Sequence, residues 1–211
     1  MNTTEYKTMS NTIFTYNQES GVNAGAAQYI SDTGAYKGEI TKAEYVTSSN
    51  KGTKGIEFTF TSDDGLKANY LSAWYQKADG SQIKMGTDLI NAMMGCCQLQ
   101  SLTSQQVNGQ NGVEYLAPEF NGKKIGLFLQ KTLKSKQDGS DTYSFDIKIP
   151  FVHISGKTLK EQISNVDATT VSSMSKTMKD KDERNKQGQH QGGHLPQQST
   201  PAIDDWDDFP Q

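Results

Sequence analysis

Apolar and polar residues alternate along several stretches of the chain, and that alternation predicts strands. Over Thr53–Ser62, Ile56, Phe58 and Phe60 alternate with Glu57, Thr59 and Thr61. A period of two turns one face of a strand inward and the other to water. Asp63-Asp64-Gly65 is a hairpin turn signal. Leu66–Tyr75 forms the return strand, with Tyr70, Leu71, Trp74 and Tyr75, and Asp79-Gly80 ends it. A long strand is expected before this pair, over Tyr36–Ser48. Lys124–Lys134 predicts a further strand with Ile125, Leu127 and Leu129 on one face. Asp138-Gly139 turns it into Thr142–Ile154, where Tyr143, Phe145, Ile147, Ile149 and Phe151 alternate with Ser144, Asp146 and Lys148. One stretch of the body has helical spacing: Leu89, Ile90, Met93, Met94 and Cys97 share a face over Thr87–Cys97. Thr87 is placed to cap that helix, and Asp88 suits its positive end. Gln98–Asn111 reads as a polar loop, and Thr158–Ser164 as a terminal helical turn.

The element order is strand, strand, strand, helix, strand, strand, which is the order of the OB-fold, a five-stranded Greek-key barrel. The expected fold class is therefore mainly β: an OB-fold-like barrel with one helix, followed by a disordered C-terminal tail. Four segments are expected. Residues 1–34, rich in Asn, Thr, Gly and Ala, form a partly ordered N-terminal arm. Residues 35–163 form the body. Residues 164–203 contain no aromatic residue and are dominated by Ser, Thr, Gln, Gly, Lys and Asp. Such a segment buries too little apolar surface to offset its ordering entropy, so it is expected to be a disordered tether. Forty residues of that kind span roughly 35 Å as a coil. Residues 204–211 form an acidic tail.

Composition sharpens this division. Only 33% of the residues are hydrophobic, low for a wholly folded chain. No apolar run is long enough to span a bilayer, and Met1–Ser10 lacks the basic-then-apolar pattern of a secretory leader. The two cysteines, Cys96 and Cys97, are adjacent. They read as small buried hydrophobes in a reducing cytoplasm, the bacterial host's if the chain is phage-encoded. The net charge of −3 hides a pattern: residues 1–163 balance 16 lysines against 16 carboxylates, while the last eight residues hold four aspartates. The single arginine, Arg184, lies in the expected tether, so bidentate guanidinium recognition is not expected of the body.

Two features carry candidate chemistry. The first is lysines interleaved with aromatic rings on the expected strands. A basic groove with rings that stack on bases holds single-stranded nucleic acid, at about 1–3 kcal/mol per stacked base. The candidates are Tyr36, Lys37, Lys42, Lys54, Lys67, Tyr70, Trp74, Lys77, Phe128 and Lys131. Tyr70 and Trp74, four apart on one strand, are expected to face the same side. The second feature is the terminus Asp204-Asp205-Trp206-Asp207-Asp208-Phe209. Large aromatics with no core to enter mark a docking segment, and the carboxylates steer it to a basic rim. Other signals are weak. His190 and His194 have metal-ligand spacing but sit around Gly192-Gly193, and His153 has no nucleophile beside it in sequence. No catalytic constellation emerges, so the chain reads as a binding protein without enzymatic activity, cofactor or metal.

The layout resembles the bacterial and phage single-stranded-DNA-binding proteins: an OB-like body, a Gly/Gln-rich linker and an Asp-rich tail ending near an aromatic. Gly34-Ala35-Tyr36-Lys37-Gly38-Glu39-Ile40 and Ser49-Asn50-Lys51-Gly52-Thr53-Lys54-Gly55-Ile56-Glu57-Phe58 are also similar to a family of small phage proteins encoded among replication genes. Tails of the bacterial proteins usually end on the aromatic, whereas Pro210 and Gln211 follow Phe209 here. The resemblance implies coating of single-stranded DNA without sequence specificity. It also implies recruitment of replication, recombination or repair proteins through the tail, and self-association into a homo-oligomer. Two other readings share these features: a strand-annealing recombination protein, and an adaptor or inhibitor that hooks a host protein without touching DNA. Deleting Asp204–Gln211 is expected to abolish partner capture in a pull-down and to tighten oligonucleotide binding at low salt. Unchanged affinity would rule out competition between tail and DNA.

Overall fold

The computed structural model describes residues 28–109 and 112–184, with residues 14–18, 21 and 25 besides. The long first strand is present as β1, Gly34–Thr47. It pairs antiparallel with β2, Lys54–Ser62, placing Ile40 opposite Phe60 and Ala43 opposite Phe58. β3, Lys67–Gln76, returns along β2. After the helix come β6, Lys123–Ser135, and β7, Asp141–Phe151. β6 pairs with the first half of β1 and with β7. The fold is thus mainly β, and β1, β2, β3, β6 and β7 are the five strands of the OB-like order. β3 and β7 lie side by side and parallel, residues 67–70 beside 142–145 and 72–74 beside 146–150. Among the described residues no ladder joins them, so the barrel has an open seam.

The core follows the alternation. Ile56, Phe58 and Phe60 from β2, Leu71 from β3, and Ile125, Leu127 and Leu129 from β6 are all fully buried. Phe120, on a short 3-10 turn over Pro118–Phe120, meets the Phe58 ring edge-on at 5.2 Å. Two close approaches shape the barrel. At Gly38 a Cβ would lie 2.1 Å from the Thr61 carbonyl oxygen, so only glycine allows β1 to press against β2 there. At Gly86 a Cβ would lie 1.8 Å from the Trp74 carbonyl, which seats the helix directly on β3.

That helix, α1, spans Lys84–Cys96 and starts three residues earlier than the sequence predicts. Thr87 does not cap it; its hydroxyl donates to the Ile83 carbonyl, and Asp88 pairs with Lys84 one turn back. Ile90, Met93 and Cys96 are buried on its inner face. Both cysteines are free. Burial pushes the Cys96 thiol up to about 11 and the Cys97 thiol up to about 12, so both stay protonated.

Two segments differ from expectation. The polar stretch after α1 is a hairpin rather than a loop: β4, Gln105–Gly109, pairs with β5, Gly112–Leu116, and Leu116 reaches Glu44 of β1. Paired backbone, not apolar burial, holds it, so hydrophobic periodicity could not reveal it. The first part of the expected tether also folds back on the body. After α2, Leu159–Ile163, come α3, Thr170–Thr177, and β8, Lys181–Asp182, which runs parallel to β6. Hydrogen bonds compensate for missing apolar contacts. Thr33 donates to Asp180, Gln130 donates to the Lys179 carbonyl, and Arg184 pairs with Asp182 and Asp141. The lone arginine therefore clamps this segment to the β6–β7 hairpin. Residues 185–211, including the rest of the tether and the acidic tail, lie outside the described residues, as do His190 and His194.

Glu161 is the hub of the fold-back. Its carboxylate accepts from the backbone N–H groups of Thr158, Thr169 and Thr170 and from their hydroxyls, at 2.8–3.4 Å. Burial alone would raise its pKa, but these donors hold the carboxyl well below the ordinary carboxylate range. Its folded pKa is depressed, so its contribution to stability is fully present above the unfolded value of about 4.3 and fades as pH falls below it. Hydrogen exchange in residues 169–184, relative to intrinsic rates, is expected to accelerate below that pH. Glu161→Gln is expected to loosen the same residues at neutral pH by about 1–3 kcal/mol. Unaltered exchange in the variant would show that the anchor lies elsewhere.

Candidate nucleic-acid interface

The open seam between β3 and β7 holds a cleft of about 310 Å3 that gathers exposed rings and cations. Tyr29 enters from the segment before β1 through a parallel bridge to Lys67. Tyr70 projects from β3, and Tyr143 and Phe145 from β7. The three tyrosines are 51%, 77% and 48% exposed. Tyr143 stands edge-on to Phe145 at 5.7 Å, and the Lys131 ammonium sits 4.8 Å above the Tyr143 ring. No carboxylate lines the cleft. Ser144, whose buried Oγ has no partner, also lines it.

Tyr70 has φ +62°, in the left-handed region that disfavours residues other than glycine. The strand is bulged there: the register of β2 on β3 shifts between Phe58 and Phe60, and buried Ala68 is followed by buried Leu71. A bulge re-aims a side chain, and here it leaves a large ring in solvent. A second register shift lies at the other end of β3, between Lys54 and Gly55 of β2, but on β3 only Tyr70 takes a positive φ.

The predicted residues divide sharply. Lys67, Tyr70 and Lys131 come together at the cleft. Trp74 does not join them. Its ring lies over Gly55, and it borders a separate groove with Met85 and Leu89 of α1. The bulge, which spacing does not show, and the seating of α1 on β3 separate the two aromatics. Phe128 is fully buried, so it cannot stack on a base. Sequence places it correctly off the Ile125/Leu127/Leu129 row, but burial on both faces of β6 removes it from solvent. Tyr36 is half-buried against the core, with its hydroxyl donating to the Asp32 carbonyl at 2.9 Å. Burial, then the Asp32 charge, raises its pKa. Lys37 is exposed opposite Gly126 of β6. Lys54 and Lys77 are exposed at the far end of β3.

Lys42 is neutralised. Its ammonium lies 2.8 Å from both Glu44 and Glu114. The groove around it also contains Glu57, directly opposite Glu44 on β2. Burial, then Glu44, raises the Glu57 pKa. Three carboxylates against one lysine make this face unfavourable for phosphate. Sequence reasoning could not see this, because the pairing depends on the register of β1 with β2 and on the β4–β5 hairpin. It also missed Tyr29, Ser144 and Tyr143. Tyr143 was legible as an alternating residue, but its position on the far part of the β6–β7 hairpin, beyond the packed core, was not.

His153 Nε2 lies 2.7 Å from Asp63 Oδ2. Lys124 also reaches Asp63. Among the described residues no group of His, Cys, Asp and Glu is placed to hold a metal, and no helix is long and apolar enough to cross a membrane. No family model matches the chain, and no curated protein matches it in sequence.

Lys42→Ala is expected to change oligothymidine affinity by no more than about twofold, because that lysine is already paired. Lys131→Ala is expected to weaken binding by about tenfold, through a lost phosphate contact and loss of the Tyr143 stack. Gel shifts with both variants give the comparison; the opposite ranking would move the interface to the β1–β2 face.

Proposed function

We propose that the protein binds single-stranded DNA without sequence preference, through the cleft between β3 and β7. One observation carries the reading: three exposed tyrosines and Lys67 line a cleft that no described carboxylate lines, with Lys131 over the Tyr143 ring at its edge. In an OB barrel, oligonucleotides bind across the second and third strands and the loops that join strands one to two and four to five. The β6–β7 hairpin is the counterpart of the last of these loops. Rings stack on bases of any identity, because every base has a flat π-face. Lysines contribute charge without the geometry for base readout. On this reading the acidic tail recruits replication or recombination proteins in the cytoplasm, while the folded body occupies the strand.

One observation favours a different class. The glutamates of the β1–β2 face repel phosphate, as expected of an adaptor that touches only proteins. The two readings separate on salt dependence. Two phosphate contacts, from Lys67 and Lys131, give a slope of about −1.4 for log affinity against log salt. Fluorescence anisotropy with a labelled oligothymidine measures it. Tyr70→Ala and Tyr143→Ala are each expected to lose about 1–3 kcal/mol of binding. A wild-type protein that fails to bind at modest ionic strength returns the adaptor reading.

A further inference from the structure

A second cavity, of about 420 Å3, lies at the other end of β3, between the sheet and α1. Tyr45, Ile56 and Tyr75 form its sheet wall, and Ile90 and Asn91 of α1 face them. Its size falls within the range of small-molecule sites. Its floor is apolar: Ile56 and Ile90 are both buried.

The polar groups of the cavity have spare capacity. Tyr45 is fixed by donating to the Thr103 carbonyl at 3.2 Å. Asn91 Nδ2 donates to the Thr87 carbonyl at 3.0 Å, leaving its Oδ1 open. Gln76 Nε2 donates to the Gly80 carbonyl at 3.0 Å, leaving its Oε1 open. The Gln82 amide and the Tyr75 hydroxyl have no hydrogen-bond partner among the described residues. Apolar and aromatic walls with amide donors and acceptors suit a planar ring with a hydrogen-bonding edge. Amides of Asn and Gln match such edges on nucleobases.

Charge is arranged beside the cavity rather than in it. No ionisable carboxylate or ammonium lines it, so a phosphate has to remain outside. Lys54 lies opposite Gln76 in the β2–β3 ladder, and Lys77 follows Gln76 in sequence. Among the described residues neither lysine has a carboxylate within ion-pair distance, unlike Lys42 or Lys84, although Asp79 lies near enough to Lys77 to feel its charge. The turns that carry them touch: a Cβ on Gly52 would lie 3.1 Å from the Ala78 Cβ.

The geometry points to a nucleotide site: one base sits against Tyr45 and Tyr75 with its edge on the Gln82 and Asn91 amides, and its phosphate lies between Lys54 and Lys77. The inference rests on the single-strand reading and deepens it. The bound strand then runs along β3 from the tyrosine cleft towards α1, and one base is held apart from those that stack. It also gives Lys54 and Lys77 a role that the tyrosine cleft does not.

The probe is 2-aminopurine deoxyribonucleoside monophosphate, which has no register to average over. Titrating it with the full chain is expected to quench its emission saturably. Gln82→Ala and Tyr75→Leu are expected to weaken that binding about tenfold, the cost of one lost polar contact or ring face. Met85→Ala, on the exposed side of α1 and outside both the cavity and the tyrosine cleft, is expected to leave it unchanged. Gln82 is exposed, so its variant keeps the test open if Tyr75→Leu fails to fold. Absence of saturable quenching, or quenching indifferent to Gln82→Ala, overturns the site. Wild-type oligothymidine binding measured alongside tells which idea has failed: if it persists, only the nucleotide site is lost, and if it is absent too, the single-strand reading falls with it.

Discussion

The curl of β1 is the constraint on which the rest of the molecule depends. This strand has β2 along one edge and must offer its other edge first to β6 and then to β5. A flat strand could not do both, since a sheet closes only if its strands bend and stagger. Two local devices supply the bend. Gly38 lets the backbone of β2 approach closely, and a bulge between Ile40 and Lys42 shifts the register. Bulges increase local twist and turn a strand from one neighbour to the next. Once β1 is bent, Ile40, Phe58, Phe60 and Ile125 meet in one core, and α1 covers the end of it.

Curling has a second consequence. β3 and β7 arrive beside one another without a ladder, so the closing seam is made of side chains and clefts instead of backbone hydrogen bonds. Unpaired strand edges are usually protected from other chains. Here the segment from Gln28 to Ile30 pairs with Lys67 at one end of the free β3 edge, and the bridge from Gln76 to Gln82 covers the other. What stays open between them is the stretch that carries Tyr70. The exposed rings of the seam are thus a product of incomplete closure, and the strained backbone at Tyr70 lies where that closure fails.

Charge then distinguishes two faces of a body that is neutral on average. Glu44, Glu57 and Glu114 collect around Lys42 on one side of Tyr70, while on its other side Lys67 lines the seam without a carboxylate among the described residues. Like charges repel an approaching anion and opposite charges guide it, an effect that decides orientation more than strength. The fold-back of residues 164–184 supports the same hairpin from behind, with Arg184 bound to Asp141 at its base. A segment without aromatic residues can still be held when each of its polar groups finds a partner, and Glu161 alone satisfies three backbone donors.

Sequence alone determined the strands of the barrel, their turns and the inward rows of β2 and β6, because period-two alternation is a local property and Asp-Gly turns are local signals. The Ile56/Phe58/Phe60 and Ile125/Leu127/Leu129 rows are where that alternation puts them. It also determined the pool of lysines and aromatics from which any interface had to be drawn. Tertiary structure decided which of them could act. Phe128 is buried, Lys42 is paired with two carboxylates and Trp74 borders the helix, whereas Tyr29 and Tyr143 stand exposed together at the seam. Contacts between residues dozens of positions apart depend on register, bulges and the bend of one strand. Those are settled only when all the strands compete for the same core, and no window along the chain contains that competition.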